Sequence, residues 1–170
     1  LAREYGVGAF CFYFYWFGGK TLLEAPLRNW LADPTLDLPF CLCWANEKWS
    51  RRWDGRGDDI LIDQQHSAED DLAFIAHVAE YLRDPRYLRV NGQPMLLVYR
   101  PGLLPDAAAT AQRWRNWCRE NGIGEIHLVY VQGFERPDPS DIGFDAAVEF
   151  PPNLHNPSSV AARQRLINPD

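Results

Sequence analysis

Several features that would announce a common activity are missing from this sequence. Its 170 residues carry 17 Lys and Arg against 23 Asp and Glu, a net charge of −6. With no basic excess, no nucleic-acid or anionic membrane surface is expected. The longest apolar stretch, Val7 to Phe17, is too short to span a bilayer, so no integral membrane segment is expected. Cys11, Cys41, Cys43 and Cys118 form neither a Cys-x-x-Cys pair nor a zinc spacing. They read as reduced packing residues, which suits a cytoplasmic protein. His66, His77, His127 and His155 are isolated, and His77 rides a helix whose charged face is solvated, so no metal site is expected. The Gly-x-Gly-x-x-Gly turn of dinucleotide folds is absent, and Gly6-Val-Gly8 precedes an apolar run instead of following one. No pattern calls for a cofactor. Low-complexity tracts, repeats, targeting segments and domain boundaries are also lacking.

What the chain does have is aromatic residues. Seven Trp, seven Tyr and nine Phe make up 14% of it. That exceeds what a core of this size needs, so some tryptophans are expected to face a ligand.

Five apolar runs recur: Val7–Phe17, Pro39–Trp44, Pro94–Tyr99, Ile126–Gln132 and Asp145–Phe150. They are continuous rather than alternating, as strands buried on both faces require. Between them lie helical patterns. Ser67-Ala-Glu-Asp70 has the form of a capping box, and Leu72, Ile75, Val78, Ala79 and Leu82 follow at helical spacing. Asp106 caps a second helix carrying Ala107, Ala111, Trp114 and Cys118, which Asn121-Gly122 ends. A shorter helix spans Pro26 to Leu31, and Ser158 to Leu166 begins another.

Repeated strand–helix–strand units predict an α/β fold with a parallel sheet. A closed (β/α)8 barrel and an open doubly wound sheet both fit the pattern, and the missing Gly-rich turn favours the barrel. Such a barrel takes about 250 residues. The expectation is therefore one incomplete domain over residues 1–170, a partial TIM-type barrel covering about strands 2 to 6 and truncated at both ends. The opening Leu1-Ala-Arg-Glu-Tyr-Gly6 reads as the end of a helix.

The long connection from Asn46 to His66 follows a strand, where barrel active sites are built. Side-chain alternation adds detail. The smaller column of each strand should face the lumen and turn polar towards the C-terminal end. Columns ending in Tyr15, Glu47, Gln132 and Glu149 fit that description. Two carboxylates would then share one mouth with aromatic rings, which is what acid–base chemistry on a glycosidic bond requires. Aromatic faces pack on the apolar faces of pyranose rings. A strand-end Glu also commonly pairs with Arg, and Arg51, Arg52 and Arg100 are at hand.

Cys43-Trp-Ala-Asn-Glu-Lys-Trp-Ser-Arg-Arg-Trp-Asp-Gly55 resembles a block of the WbsX-type proteins, a glycoside hydrolase family 99-like group of bacterial surface-polysaccharide glycosyltransferases. The stretches Gly8 to Phe17 with Leu22-Leu-Glu24, Asn91-Gly-Gln-Pro94, Tyr99-Arg-Pro101 and Phe144 to Pro151 agree with it, in order, along the whole chain. The resemblance implies a TIM-type barrel acting on a glycosidic bond by transfer or hydrolysis. It also implies an oligosaccharide or polysaccharide substrate and a nucleotide-sugar donor in the transfer case. The Glu-Trp-x-Glu pair of the similar endo-α-mannosidases matches nothing here: Glu4 and Glu24 lack the Trp, and Glu47 is followed by Lys-Trp. The main catalytic acids are thus expected beyond Asp170. Phe14 and Gly18 stand where the family commonly has His and Asn.

The resulting candidates are Glu47 and Glu149 as auxiliary acid–base groups or hydroxyl binders. Tyr13, Tyr15, Trp44, Asn46, Trp49, Trp53, Tyr99, Arg100 and Gln132 are the candidate sugar contacts. Trp44 has the parity of the helix-facing column and fits the core as well. Asn46 fits either a sugar hydroxyl or a loop cap, and Arg100 either an anionic group or a structural ion pair. The alternative for the whole chain is a non-catalytic glycan-binding barrel in a biosynthetic complex.

Overall fold

The computed structural model describes residues 1–51 and 56–150. Trp53 and the helix expected at Ser158 to Leu166 lie outside the described residues. The five apolar runs form strands β1 (Phe10–Phe17), β3 (Phe40–Trp44), β7 (Gln93–Val98), β8 (His127–Gln132) and β9 (Ala146–Glu149). All five are parallel, and they follow one another across the sheet in chain order. The fold is mixed α/β. The opening residues make a single 3-10 turn, Arg3–Tyr5, ended by Gly6.

Among the described residues, three α-helices lie between the strands: α1 (Ala25–Ala32), α2 (Ala68–Arg83) and α3 (Ala107–Glu120). The expected caps are in place, Ser67 accepting from the Asp70 N–H and Asp106 from the Ala109 N–H. Helix α2 buries Phe74, Ile75, Val78, Ala79, Tyr81 and Leu82, whereas Leu72, expected on that face, is exposed. Helix α3 buries Ala111, Trp114 and Cys118 as its spacing predicts. The two helices lock through Asp71. Its backbone carbonyl accepts from Trp114 Nε1, and its carboxylate from Thr110 and Arg113, each at 2.8 Å.

Short elements escape the periodicity. Strand β2 (Lys20–Leu22) turns back on β1 through Gly18-Gly19, and β6 (Arg89–Val90) pairs β7 through Asn91-Gly92. All four loop residues have positive φ, as tight two-residue hairpin loops demand. Strands β4 (Trp49–Arg51) and β5 (Arg56–Ile62) form a separate antiparallel hairpin inside the long connection. Arg86 sews the end of α1 to the entry of β3. Its guanidinium donates to the carbonyls of Trp30, Leu31, Asp33 and Leu36 and to the carboxylate of Asp84.

Strand register decides which side chains share a face. One row runs Tyr13, Cys43, Leu97, Val129, Ala146, and its neighbour runs Phe14, Trp44, Val98, Tyr130, Ala147. The second row faces the helices, where Trp44 and Tyr130 are wholly buried.

Candidate active site

At the C-terminal ends of the parallel strands lies a cleft of about 780 Å³, the end at which parallel α/β sheets place their sites. Strand β1 supplies Tyr13 and Tyr15, the residues after β3 supply Asn46 and Glu47, and those after β7 supply Tyr99 and Arg100. The hairpin adds Trp49, whose ring meets Tyr15 edge-on at 5.3 Å and Phe17 at 5.6 Å. Tyr13 stacks towards Tyr15 at 6.4 Å and meets Tyr99 edge-on at 5.9 Å. These four rings form an apolar wall with hydroxyls on it, suited to a pyranose.

The polar centre is Arg100. It donates to Glu47 Oε1 at 2.9 Å and to Glu135 Oε1 at 3.2 Å, and it lies 4.0 Å from the Phe134 ring centre. Glu135 in turn accepts from the Gly102 N–H at 2.9 Å. Asn46 is fully buried, and its amide bonds the Arg100 backbone in both directions at 2.8 Å. It therefore acts as a clamp that fixes the end of β7 against β3. Of the two roles open to Arg100, the geometry shows the ion pair.

Burial lowers the Arg100 pKa, but the bonds to Glu47 and Glu135 outweigh it and hold the group above its ordinary value. Burial pushes Tyr13 up to about 12, with neighbouring Cys43 and Tyr99 adding to the effect. Tyr99 is raised by burial and by the charge of Glu47. Both phenols stay protonated at neutral pH and can donate to a sugar oxygen.

Tyr13, Tyr15, Asn46, Glu47, Trp49, Tyr99 and Arg100 thus come together as expected. Three candidates do not. Trp44 stacks on Phe74 at 4.4 Å in the core and presents nothing to the cleft. Gln132 and Glu149 are register partners two residues beyond Tyr130 and Ala147, so they share the helix-side row with Trp44. Gln132 bonds the Tyr130 hydroxyl at 3.0 Å. On the cleft side of these strands stand Val131 and Val148; the polar strand ends misled the choice of column. Residues not singled out from sequence also line the cleft, among them Asp63, Gln64 and His66 from the close of the long connection.

Gly102 leaves room for the Glu135 carboxylate, since a Cβ there would lie 2.4 Å from Oε2. Gly102→Ala is expected to displace that carboxylate, the mobile end of a flexible side chain, and to cost under about 1 kcal/mol in urea unfolding. A loss above about 3 kcal/mol would show that the backbone yields instead.

A second polar cluster lies on the helix side. His77, far from solvated, bonds Glu24 at 3.0 Å and packs on Phe14 and Trp16. Glu24, His77 and Glu80 bring three possible metal-ligand atoms within 4.8 Å. Arg28, however, bridges Glu24 and Glu80 at 3.0 and 2.5 Å, which makes this an ion-pair network.

Residues 1–169 match the family described as glycosyltransferase WbsX. The chain belongs to the WbsX glycosyltransferase family. Two relatives, the WxcX proteins of Xanthomonas campestris pv. campestris strains B100 and ATCC 33913, are each 76% identical to it over all 170 residues. The WbsX-family chain spans about a quarter, 24%, of their length. A solved glycoside hydrolase-like protein shares the fold, with a TM-score of 0.55 at 17% identity over 88% of this chain and 47% of the other. Among the described residues of the WbsX-family chain, no helix is long and apolar enough to cross a membrane.

Proposed function

We propose that this WbsX-family chain is the sugar-binding part of a carbohydrate-active enzyme that acts on a glycosidic bond of a bacterial polysaccharide, by transfer or hydrolysis. The observation that carries this is a carboxylate, Glu47, held by Arg100 beside four aromatic rings at the C-terminal ends of parallel strands. Glu47 accepts a hydroxyl of the glycan or takes its proton, and the tyrosine hydroxyls and the Trp49 ring seat the sugar. Asp63 brings a second carboxylate to the same cleft.

The architecture belongs with this proposal. Five parallel strands in chain order, with no reversal among them, support about strands 2 to 6 of a (β/α)8 barrel over a doubly wound sheet, whose order reverses.

In the full-length protein, Glu47→Gln is expected to cut turnover or glycan affinity at least tenfold, about 1.4 kcal/mol. An unchanged value removes Glu47 from the site. Product analysis with a sugar-nucleotide donor, against free glycan and water, separates transfer from hydrolysis.

A further inference from the structure

Three thiols lie together on the face of the sheet that carries Tyr13 and Tyr15. Cys11 shares that side of β1 with the two tyrosines, and Cys41 and Cys43 share the matching side of β3. Cys11 and Cys41 are register partners on adjacent parallel strands, and Cys43 partners Tyr13 in the next row. Partners in a parallel pair point the same way from backbones about 4.8 Å apart. That spacing falls inside the window of about 4.4–6.8 Å between Cα atoms in which a disulfide closes. The thiols differ in access: Cys11 is exposed, whereas Cys41, Cys43 and the distant Cys118 are buried. They differ in proton affinity too. Hydrogen bonds from Cys41 and Cys43 hold the Cys11 thiol well below its usual range, against the opposing effect of burial. The same contacts, with burial, push Cys41 and Cys43 up. Burial pushes Cys118 up to about 12.

We propose that Cys11 is an oxidant-sensitive modification site, which hydrogen peroxide converts into a reversible disulfide with Cys41. The Cys11 thiolate attacks one peroxide oxygen and the O–O bond breaks. The departing hydroxide takes a proton from solvent, leaving a sulfenic acid and one water. The Cys41 sulfur then attacks the Cys11 sulfur, and its proton leaves with the hydroxyl as a second water. Two thiols have lost two electrons to one peroxide, which ends as two waters. An exposed thiol that gives up its proton readily suits the first step, and a neighbouring thiol that keeps its proton until attack suits the second. Parallel Cβ vectors keep the strand spacing, slightly beyond the about 3.5–4.5 Å between Cβ atoms of a relaxed bridge. The bond is therefore strained and easily reduced, the property of a reversible cross-link rather than a permanent one. It ties β1 to β3 one row below Tyr13. The proposal stands apart from the carbohydrate function and holds whatever occupies the cleft.

The test uses reduced full-length protein treated with hydrogen peroxide, quenched with catalase, blocked with N-ethylmaleimide under denaturing conditions and digested with trypsin. Cleavage after Arg3, Lys20, Arg28 and Lys48 puts Cys11 in one peptide and Cys41 with Cys43 in another. Mass spectrometry is expected to find these two peptides joined, and to find them separate after dithiothreitol. The joined species is expected to persist in Cys43→Ser and to vanish in Cys41→Ser, while Cys118 carries the maleimide throughout. Under native conditions at pH 7, iodoacetamide is expected to alkylate Cys11 at least about tenfold faster than Cys118. Cys11 recovered as a free thiol, at a peroxide dose that fully oxidises glutathione, overturns the site. Cys11 carried to sulfinic acid in wild type without a joined peptide overturns the disulfide. A joined species that survives Cys41→Ser overturns Cys41 as the partner. If Cys41→Ser fails to fold, Cys41→Ala replaces it, keeping a small apolar side chain in the core, and the same loss of the joined species is expected.

Discussion

Trp44→Ala is expected to destabilise the protein by about 4 kcal/mol, the range of large aromatic truncations in packed cores. The ring is fully buried, stacked on Phe74 at 4.4 Å with 23° between planes, and 5.9 Å from Trp114. Its Nε1 donates to the Trp16 carbonyl at 3.4 Å. Truncation opens a void between β3, α2 and α3 that neither aromatic neighbour can fill without leaving its own partners. Trp44→Phe keeps the stack and is expected to cost less than half as much. Urea unfolding of the three proteins decides the matter. If Trp44→Ala lost glycan affinity but under about 1 kcal/mol of stability, the ring would belong to the cleft after all.

Glu24→Gln is the second large effect, and its pH dependence is the more telling part. Burial alone would raise the Glu24 pKa, but hydrogen bonds from Tyr81, His77 and Thr21 outweigh it and hold the group at about 2. The unfolded value is about 4.3. A depressed folded value means that the stabilisation is fully present above the unfolded pKa. It is lost as pH falls towards about 2. Its size is on the order of 3 kcal/mol for a carboxylate this well enclosed. Glu24→Gln is expected to cost about 2 kcal/mol at neutral pH, because the amide still accepts one bond. It is also expected to flatten the loss of stability between pH 5 and pH 2. The adjoining residue Leu23 has φ 55, a conformation that L side chains adopt only when held there. Parallel acid limbs for wild type and variant, in urea unfolding at several pH values, would sink the assignment.

Strands β3, β7 and β8 were legible because burial on both faces leaves a continuous apolar run. Strands β1 and β9 are as apolar although one face of β1 and the end of β9 are exposed. Helices α2 and α3 were legible because their caps are spelled out in side chains. The Gly18-Gly19 pair before β2 and the Asn91-Gly92 pair after β6 carried a turn signal that the apolar pattern did not use. On β1 and β3, choosing the smaller column led to the cleft face, since Cys11 lies between Phe10 and Phe12 and Cys43 between Leu42 and Trp44. On β8 and β9 the polar strand end chose Gln132 and Glu149. On β8 the column of Val129 and Val131 is the smaller one, and a polar strand end marks exposure as readily as a lumen. Glu135 could not be found from sequence. It meets Arg100 only through space, across two separate connections. The Glu47–Arg100 pair was within reach because a strand-end carboxylate calls for a cation, yet three arginines were available and only packing selects among them.

The hairpin of β4 and β5 pairs with no strand of the main sheet among the described residues, although Trp49 at its root contacts the rings of Tyr15 and Phe17. One wall of the cleft is therefore carried by a segment that the parallel sheet does not hydrogen-bond. Changes in the length or composition of this ribbon could redraw one wall of the cleft while every backbone bond of the parallel sheet stays as it is. Under the proposed function, exchanging this one peripheral segment would change the fit to the sugar and leave the scaffold in place.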